Sequence, residues 1–286
     1  MTSSKHPTWK RSATTLTCFA LVALASPSLH AQPEARINRL IEALEKGDSA
    51  ITGETWIFID QEHGPYVIDQ LGARLRDLAE AKNDRGQQPL APIVRIPTEG
   101  DQDLRWVIKQ VLERGAMGII VPQVENAAQA TKIVQAMRYP QRNESAYPTP
   151  VGRRGFAGAP RTWGLSVMDY IEVADVWPLN PAGELFVMPM VESALGVANV
   201  GEILAVPGVG GVLIGPNDLS MGLGVGPWRT DGKAFLPPET EAAIQAVARA
   251  CVEQKKYCGM VTWTEAETSK YLESGFRVIF AVYRRP

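Results

Sequence analysis

Seven short apolar runs alternate along this chain with stretches whose apolar residues recur at helical spacing, and that alternation restricts the possible folds more than any other feature. The runs begin at Trp56, Pro92, Met117, Leu185, Gly211, Tyr257 and Phe276. Short, apolar and bounded by turn residues, they read as buried strands. Residues 68–81, 104–113, 126–137, 194–204, 239–254 and 265–273 read as the helices between and after them, and residues 33–46 as a helix before the first run. Strand, helix, strand, helix implies a parallel sheet with helices outside it, an α/β fold. A closed barrel of this kind has eight strands, one more than the runs supply.

The rhythm is lost in residues 138–184. Pro140, Pro148, Pro150, Gly152, Gly155, Gly158 and Pro160 lie there with Arg142, Arg153, Arg154 and Arg161, and only residues 166–176 have a helical pattern. An interruption of this size inside a compact domain reads as a functional loop, with a disordered excursion as the other reading.

The N-terminus differs in kind. Lys10 and Arg11 precede the run ATTLTCFALVALA, residues 13–25, and small residues follow up to Ala31. The run is shorter than the roughly 20 residues that span a bilayer, and its flanks are those of a secretory signal peptide; an uncleaved anchor is the other reading. We therefore expect residues 1–31 to be a leader, residues 32–286 to be a single α/β domain, and the protein to be exported. Removing the leader takes away Lys5, Lys10 and Arg11 but no acid, so the remainder is more acidic than the full chain's net −2. With no basic block, neither nucleic acid nor, after cleavage, a membrane is an expected partner. Cys251 and Cys258 remain outside the leader; pairing and two buried free thiols are both open.

Charged residues stand where the runs end. WIFIDQEHGPY carries Asp60, Glu62 and His63; PIVRIP carries Arg95; Glu192 follows the fourth run and Asp218 the fifth. In a parallel sheet these ends face one way, so the residues converge. His6 and His30 fall in the leader, which leaves His63 as the sole remaining imidazole. Glu192 and Asp218 are hard oxygen donors without a second His or a thiolate beside them, a set suited to Mg²⁺ or Mn²⁺. Asp60, three residues before His63, is the expected orienting partner of its ring. Arg95 offers a fork of donors to a carboxylate or a developing oxyanion. A cation at a carbonyl, a proton carrier and an enolate-holding arginine are the parts needed to break a carbon–carbon bond beside a ketone.

The segments FIDQEHGPY, PIVRIP, GAMGIIVPQVENAAQA, GRRG, VMPMVESALGVANVGEILAVPGVGGVLIGPNDLSMGLG and GFRVIFAVY, in that order, resemble the HpcH/HpaI aldolase family. The resemblance implies a TIM-type (β/α)₈ barrel that cleaves a 4-hydroxy-2-oxoacid to pyruvate and an aldehyde with Mg²⁺ or Mn²⁺, Co²⁺ being a further candidate. It implies Glu192 and Asp218 as metal ligands, and His63, Asp60 and Arg95 as catalytic residues. Arg95, Gln123, Pro216 and Asn217 would lie against the 2-oxoacid, and Glu62 behind them. Family members assemble as homo-oligomers that exchange a last helix. Two departures stand out: only DSAITGET, residues 48–55, separates Gly47 from the first run, too short for a βαβ crossover, and the sequence stops at Pro286, directly after the last run. A shortened first β/α unit, a missing last helix and a weakened oligomer are therefore expected. The alternatives are a CoA-thioester lyase of the citrate lyase β or malyl-CoA type, and a catalytically impaired 2-oxoacid-binding barrel.

Overall fold

The computed structural model describes Met1 and residues 36–284, apart from 83–85, 87, 227–228, 231–232 and 235–236, with backbone alone at 229–230 and 233–234. The chain divides into two compact units, Met1–Glu34 and Ala35–Pro286. All elements named here belong to the second; beyond Met1 the expected leader lies outside the described residues.

Helix α1 (Arg39–Glu45) precedes strands β1 (Ala50–Ile51) and β2 (Trp56–Asp60), and then α2 (Ile68–Glu80), β3 (Ala91–Arg95), α3 (Arg105–Glu113), β4 (Gly118–Val121) and α4 (Ala127–Met137) alternate. The irregular segment contributes a short α5 (Val167–Val173) and β5 (Val176–Trp177). There follow β6 (Leu185–Val191), α6 (Ala194–Ala198), α7 (Val200–Ala205), β7 (Leu213–Ile214) and α8 (Pro216–Gly222). A small antiparallel pair, β8 (Arg229–Thr230) with β9 (Lys233–Ala234), leads to α9 (Pro238–Glu253), β10 (Gly259–Thr262), α10 (Glu265–Glu273) and β11 (Val278–Ala281).

Eight parallel strands run side by side in the order β1, β11, β10, β7, β6, β4, β3, β2, and β5 adds to the side of β6. A parallel bridge from Thr52 to Trp56 joins the two ends of this row. The fold is thus a TIM-type barrel with a shortened first unit. Every residue of β3, β4, β6, β10 and β11 is buried, which is why these strands read as unbroken apolar runs. Outside them the helices turn one face inward, as α3 does with Val107, Ile108, Val111 and Leu112.

The count of seven strands is corrected to eight, because β1 has only two residues and no pattern of its own. It is held from outside, by Ala50 paired with Val278 and Ile51 with Ile279. The eight residues before Trp56 are indeed too few for a crossover helix. Instead the chain makes one tight turn in which the N–H groups of Glu54 and Thr55 both reach the Ile51 carbonyl at 3.1 Å and that of Gly53 reaches Trp56. Gly53, at φ +81°, takes the left-handed conformation that this turn requires.

Thr52 completes the join. Its Oγ1 accepts the Ala281 N–H at 2.9 Å and donates to the Ala281 carbonyl, replacing the backbone ladder that a longer β1 would have made. Thr52→Val is therefore expected to strand a buried N–H and to lower unfolding free energy by about 1–3 kcal/mol. A urea midpoint unchanged from the parent protein would contradict this role.

The irregular segment is packed rather than a loose excursion. Arg138, fully buried, grips both oxygens of Asp175 at 2.6 and 3.0 Å and donates to the carbonyls of Pro150 and Tyr147. The helix expected over residues 166–176 is shorter, ending at Val173, and Val176 belongs instead to β5, which pairs with β6. Cys251, near the end of α9, and Cys258, before β10, form a disulfide with their Cα atoms 5.9 Å apart, which resolves the two open readings.

Candidate active site

The ends of β2 and β3 set the first part of the site. In their register Asp60 lies beside Arg95, and the two side chains close a bidentate pair, Nε to Oδ1 at 3.0 Å and Nη2 to Oδ2 at 2.7 Å. Arg95 Nη1 reaches Glu62 Oε2 at 2.6 Å, and its guanidinium lies over the Phe58 ring, 5.3 Å from the centroid. Only 8% of Arg95 is exposed, so it is a desolvated cation fixed by the two carboxylates. Burial raises the Asp60 carboxyl, but its bonds and charge pairing with Arg95 outweigh this and hold it below the usual range. Burial raises Glu62 above its ordinary value against the pull of Arg95 and His63.

The expectation that Asp60 orients His63 is corrected. Both Asp60 oxygens are taken by Arg95, and Oδ1 also accepts the backbone N–H groups of Glu62 and, at 3.5 Å, His63. A spacing of three residues brings side chains together on a helix, whereas here the chain leaves an extended strand into a turn. The neighbour of the His63 ring is Glu62, with Nε2 3.7 Å from Oε2. The imidazole is 66% exposed, at the mouth of the barrel. Glu62, standing between Arg95 and His63, is thus the link that sequence reasoning underrated.

Across the barrel end, Glu192 follows β6 and is only 3% exposed. Its Oε2 accepts the backbone N–H of Gln123 at 3.0 Å. Gln123, just past β4, adopts φ 51°, a costly conformation for a residue with a side chain, and it aims that N–H into the site. On the other side Gly215 permits close approach, since a Cβ there would stand 2.1 Å from Glu192 Oε1. Burial pushes the Glu192 carboxyl up to about 8; the Gln123 N–H opposes this, and the charges of Asp218 and Glu62 add to it.

The GPNDLS stretch is helical from Pro216 on, with Gly215 as its N-cap. Pro216 opens α8, which places Asp218 in its exposed first turn, and Asn217 beside it has a buried Oδ1 with no hydrogen-bond partner among the described residues. Every expected site residue thus stands at the C-terminal end of a strand. Arg154 lies away from these ends, its guanidinium over Tyr139 and donating to the Tyr170 hydroxyl at 2.6 Å, inside the irregular segment.

Among the described residues no group of three His, Cys, Asp or Glu could hold a metal. The donor set is an acid pair, and it fits a hard cation: Glu192 is buried, feels the charge of Asp218 and has no ion-pair partner among the described residues, and Asn217 leaves an oxygen unused. Mg²⁺ is bound in this way, by one or two carboxylates with water and substrate completing the shell.

A parallel barrel that gathers an acid pair, a clamped arginine and an open imidazole over its strand ends is an enzyme built for proton transfer and charge stabilisation at a carbonyl. Residues 43–281 match the family model of HpcH/HpaI aldolase/citrate lyase, and the chain belongs to that family. It is 34% identical to a hydroxypyruvate/pyruvate aldolase of Agrobacterium fabrum over 82% of this chain and 76% of that one. Of solved structures, an HpcH/HpaI aldolase/citrate lyase family protein from Burkholderia cenocepacia superposes with a TM-score of 0.63 at 30% identity, covering 79% of this chain and 78% of that one. An HpcH/HpaI aldolase from Desulfitobacterium hafniense shares the fold, with a TM-score of 0.66 at 22% identity over 85% and 89% of the two chains.

Proposed function

We propose that this chain is a carbon–carbon lyase that splits a 4-hydroxy-2-oxoacid into pyruvate and an aldehyde, with a divalent metal bound by Glu192 and Asp218. The observation that carries this reading is the joint placement, over one barrel end, of the buried Glu192 with the exposed Asp218, the clamped Arg95 and the open His63. A bound Mg²⁺ or Mn²⁺ would act as a Lewis acid toward the keto oxygen. Arg95, held rigid by Asp60 and Glu62, stabilises the negative charge that develops on that oxygen. His63 takes the proton from the C4 hydroxyl as the C3–C4 bond breaks, and it returns a proton to C3 of the resulting enolate. Glu62 stabilises the imidazolium in between.

The relatives' name supports the aldolase reading over a CoA-thioester lyase, and it makes hydroxypyruvate a donor to test beside pyruvate. The deciding experiment couples pyruvate release to lactate dehydrogenase over a panel of 4-hydroxy-2-oxoacids, with Mg²⁺, Mn²⁺, Co²⁺ or EDTA. Turnover that requires metal supports the assignment, whereas turnover undiminished by EDTA contradicts it. We propose export as well; the Cys251–Cys258 disulfide supports it, since such bonds persist in oxidising compartments. A homo-oligomer is expected, and light scattering of the purified protein tests it.

Glu192 makes the metal measurable without turnover. Folded and metal-free, the protein keeps a proton on Glu192 up to pH about 8, while the unfolded chain releases it near pH ~4.3. Between those values the folded state holds the extra proton, so its stability falls as pH rises. Mg²⁺ displaces that proton and offsets the loss. The gain in Tm on adding Mg²⁺ should therefore be small at pH 5.5 and grow toward pH 8.5. A gain independent of pH would remove Glu192 from the ligand set.

A further inference from the structure

The short β1 leaves an opening in the barrel wall. Its last link to β2, Thr52 with Trp56, lies at the beginning of β2. Above that level β2 continues through Phe58 to Asp60 and β11 through Phe280 to Ala281, with no strand between them among the described residues. Thr52 and Gly53 form the sill, Gly53 lying close under the backbone carbonyl of Arg284. A cavity of about 400 Å³ occupies the opening, a volume in the range that holds small organic ligands.

Its lining is chemically one-sided. The inner wall is an aromatic face, Phe58 stacked on Phe280 with centroids 4.0 Å apart and planes within 12°. Ile57 and Leu90 form the apolar outer wall. Among the described residues, three charged ones reach the cavity. Asp60, at the inner end, has both oxygens engaged by Arg95, as described above. Arg284 is paired with Glu54. Arg74, exposed on α2 at the rim, has no ion-pair partner among the described residues. The net demand of the opening is for one negative charge attached to a flat apolar body.

We propose that this lateral window is a binding site for a small aromatic or unsaturated monocarboxylate, its carboxylate on Arg74 and its body between Leu90, Ile57 and the Phe58–Phe280 face. The site is separate from the metal acids and requires neither metal nor 2-oxoacid, so it stands independently of the lyase reading. It adjoins the far side of the Asp60–Arg95 clamp, a position closed in a barrel whose first strand runs its full length.

The test is calorimetric titration of phenylacetate into the full chain in EDTA at fixed ionic strength. The proposal requires one saturable site that pyruvate does not compete for, about tenfold or more weaker in Arg74→Ala, a charge-assisted contact's worth, and lost in Leu90→Trp, which fills the cavity. Arg74 is exposed and its alanine variant keeps the fold, so it decides alone if Leu90→Trp does not fold. Absence of saturable binding, equal binding by the parent and Arg74→Ala, or binding that needs Mg²⁺ and yields to pyruvate would each overturn it.

Discussion

His63→Ala is expected to lower pyruvate release by about 10²- to 10⁴-fold, the contribution of a positioned general acid–base, while leaving the fold intact. The ring is 66% exposed, so its loss vacates little packing and the stability change should stay within about 0.5 kcal/mol. That separation makes the experiment informative. A fall in kcat with the melting temperature and the Mg²⁺-induced stabilisation both preserved assigns the loss to chemistry. Beyond residue 31 the sequence has no second histidine to substitute, so residual activity should not regain a titration near neutral pH. A decrease of less than tenfold would move the proton transfer to another group, and Glu62, 3.7 Å from the ring and raised by burial, would be the first to examine.

How much of this was legible in the sequence depends on whether a feature is local. The long buried strands were, because a strand covered on both faces has nowhere to put a polar residue, and β6 runs as LFVMPMV without a break. β1 and β5 were not, because each has two residues whose extended state comes from a distant partner, β11 and β6 respectively. The same division holds in the site. The identities of Asp60, Arg95, Glu192 and Asp218 could be read, since strand ends in a parallel barrel converge. Their pairing could not: Asp60 belongs to Arg95, 35 positions away, through the register of β2 and β3. Glu192 receives its hydrogen bond from Gln123 only because that residue takes a left-handed backbone, which no side-chain pattern announces. Nor did the Pro- and Gly-rich composition of the irregular segment show that Arg138 would hold it.

Arg95→Met carries the other large effect, in stability and activity together. Arg95 is the only arginine or lysine in contact with Asp60 and Glu62 among the described residues. Without it, two carboxyls and the buried Glu192 share one end of the barrel with no positive charge fixed between them. Removing one partner of a buried pair costs on the order of 3–5 kcal/mol, and the figure here should lie toward the lower end because Asp60 is about a quarter exposed. The loss has a definite pH dependence. In the variant, Asp60 and Glu62 have folded-state pKa values above those of the unfolded chain, so stability is retained at low pH and falls as pH rises through them. The deficit relative to the parent protein should therefore be smallest near pH 4 and largest above pH 7. Asp60→Asn combined with Arg95→Met should recover part of it by removing one of the stranded charges. Activity should fall by about 10²- to 10³-fold, as for loss of an oxyanion donor, and Arg95→Lys should restore charge and some stability but little rate, because an ammonium cannot span Asp60, Glu62 and substrate with one rigid fork. Urea titrations at pH 4.5 and 8 with kinetics on the lysine variant check all three points, and a deficit equal at both pH values would refute the clamp.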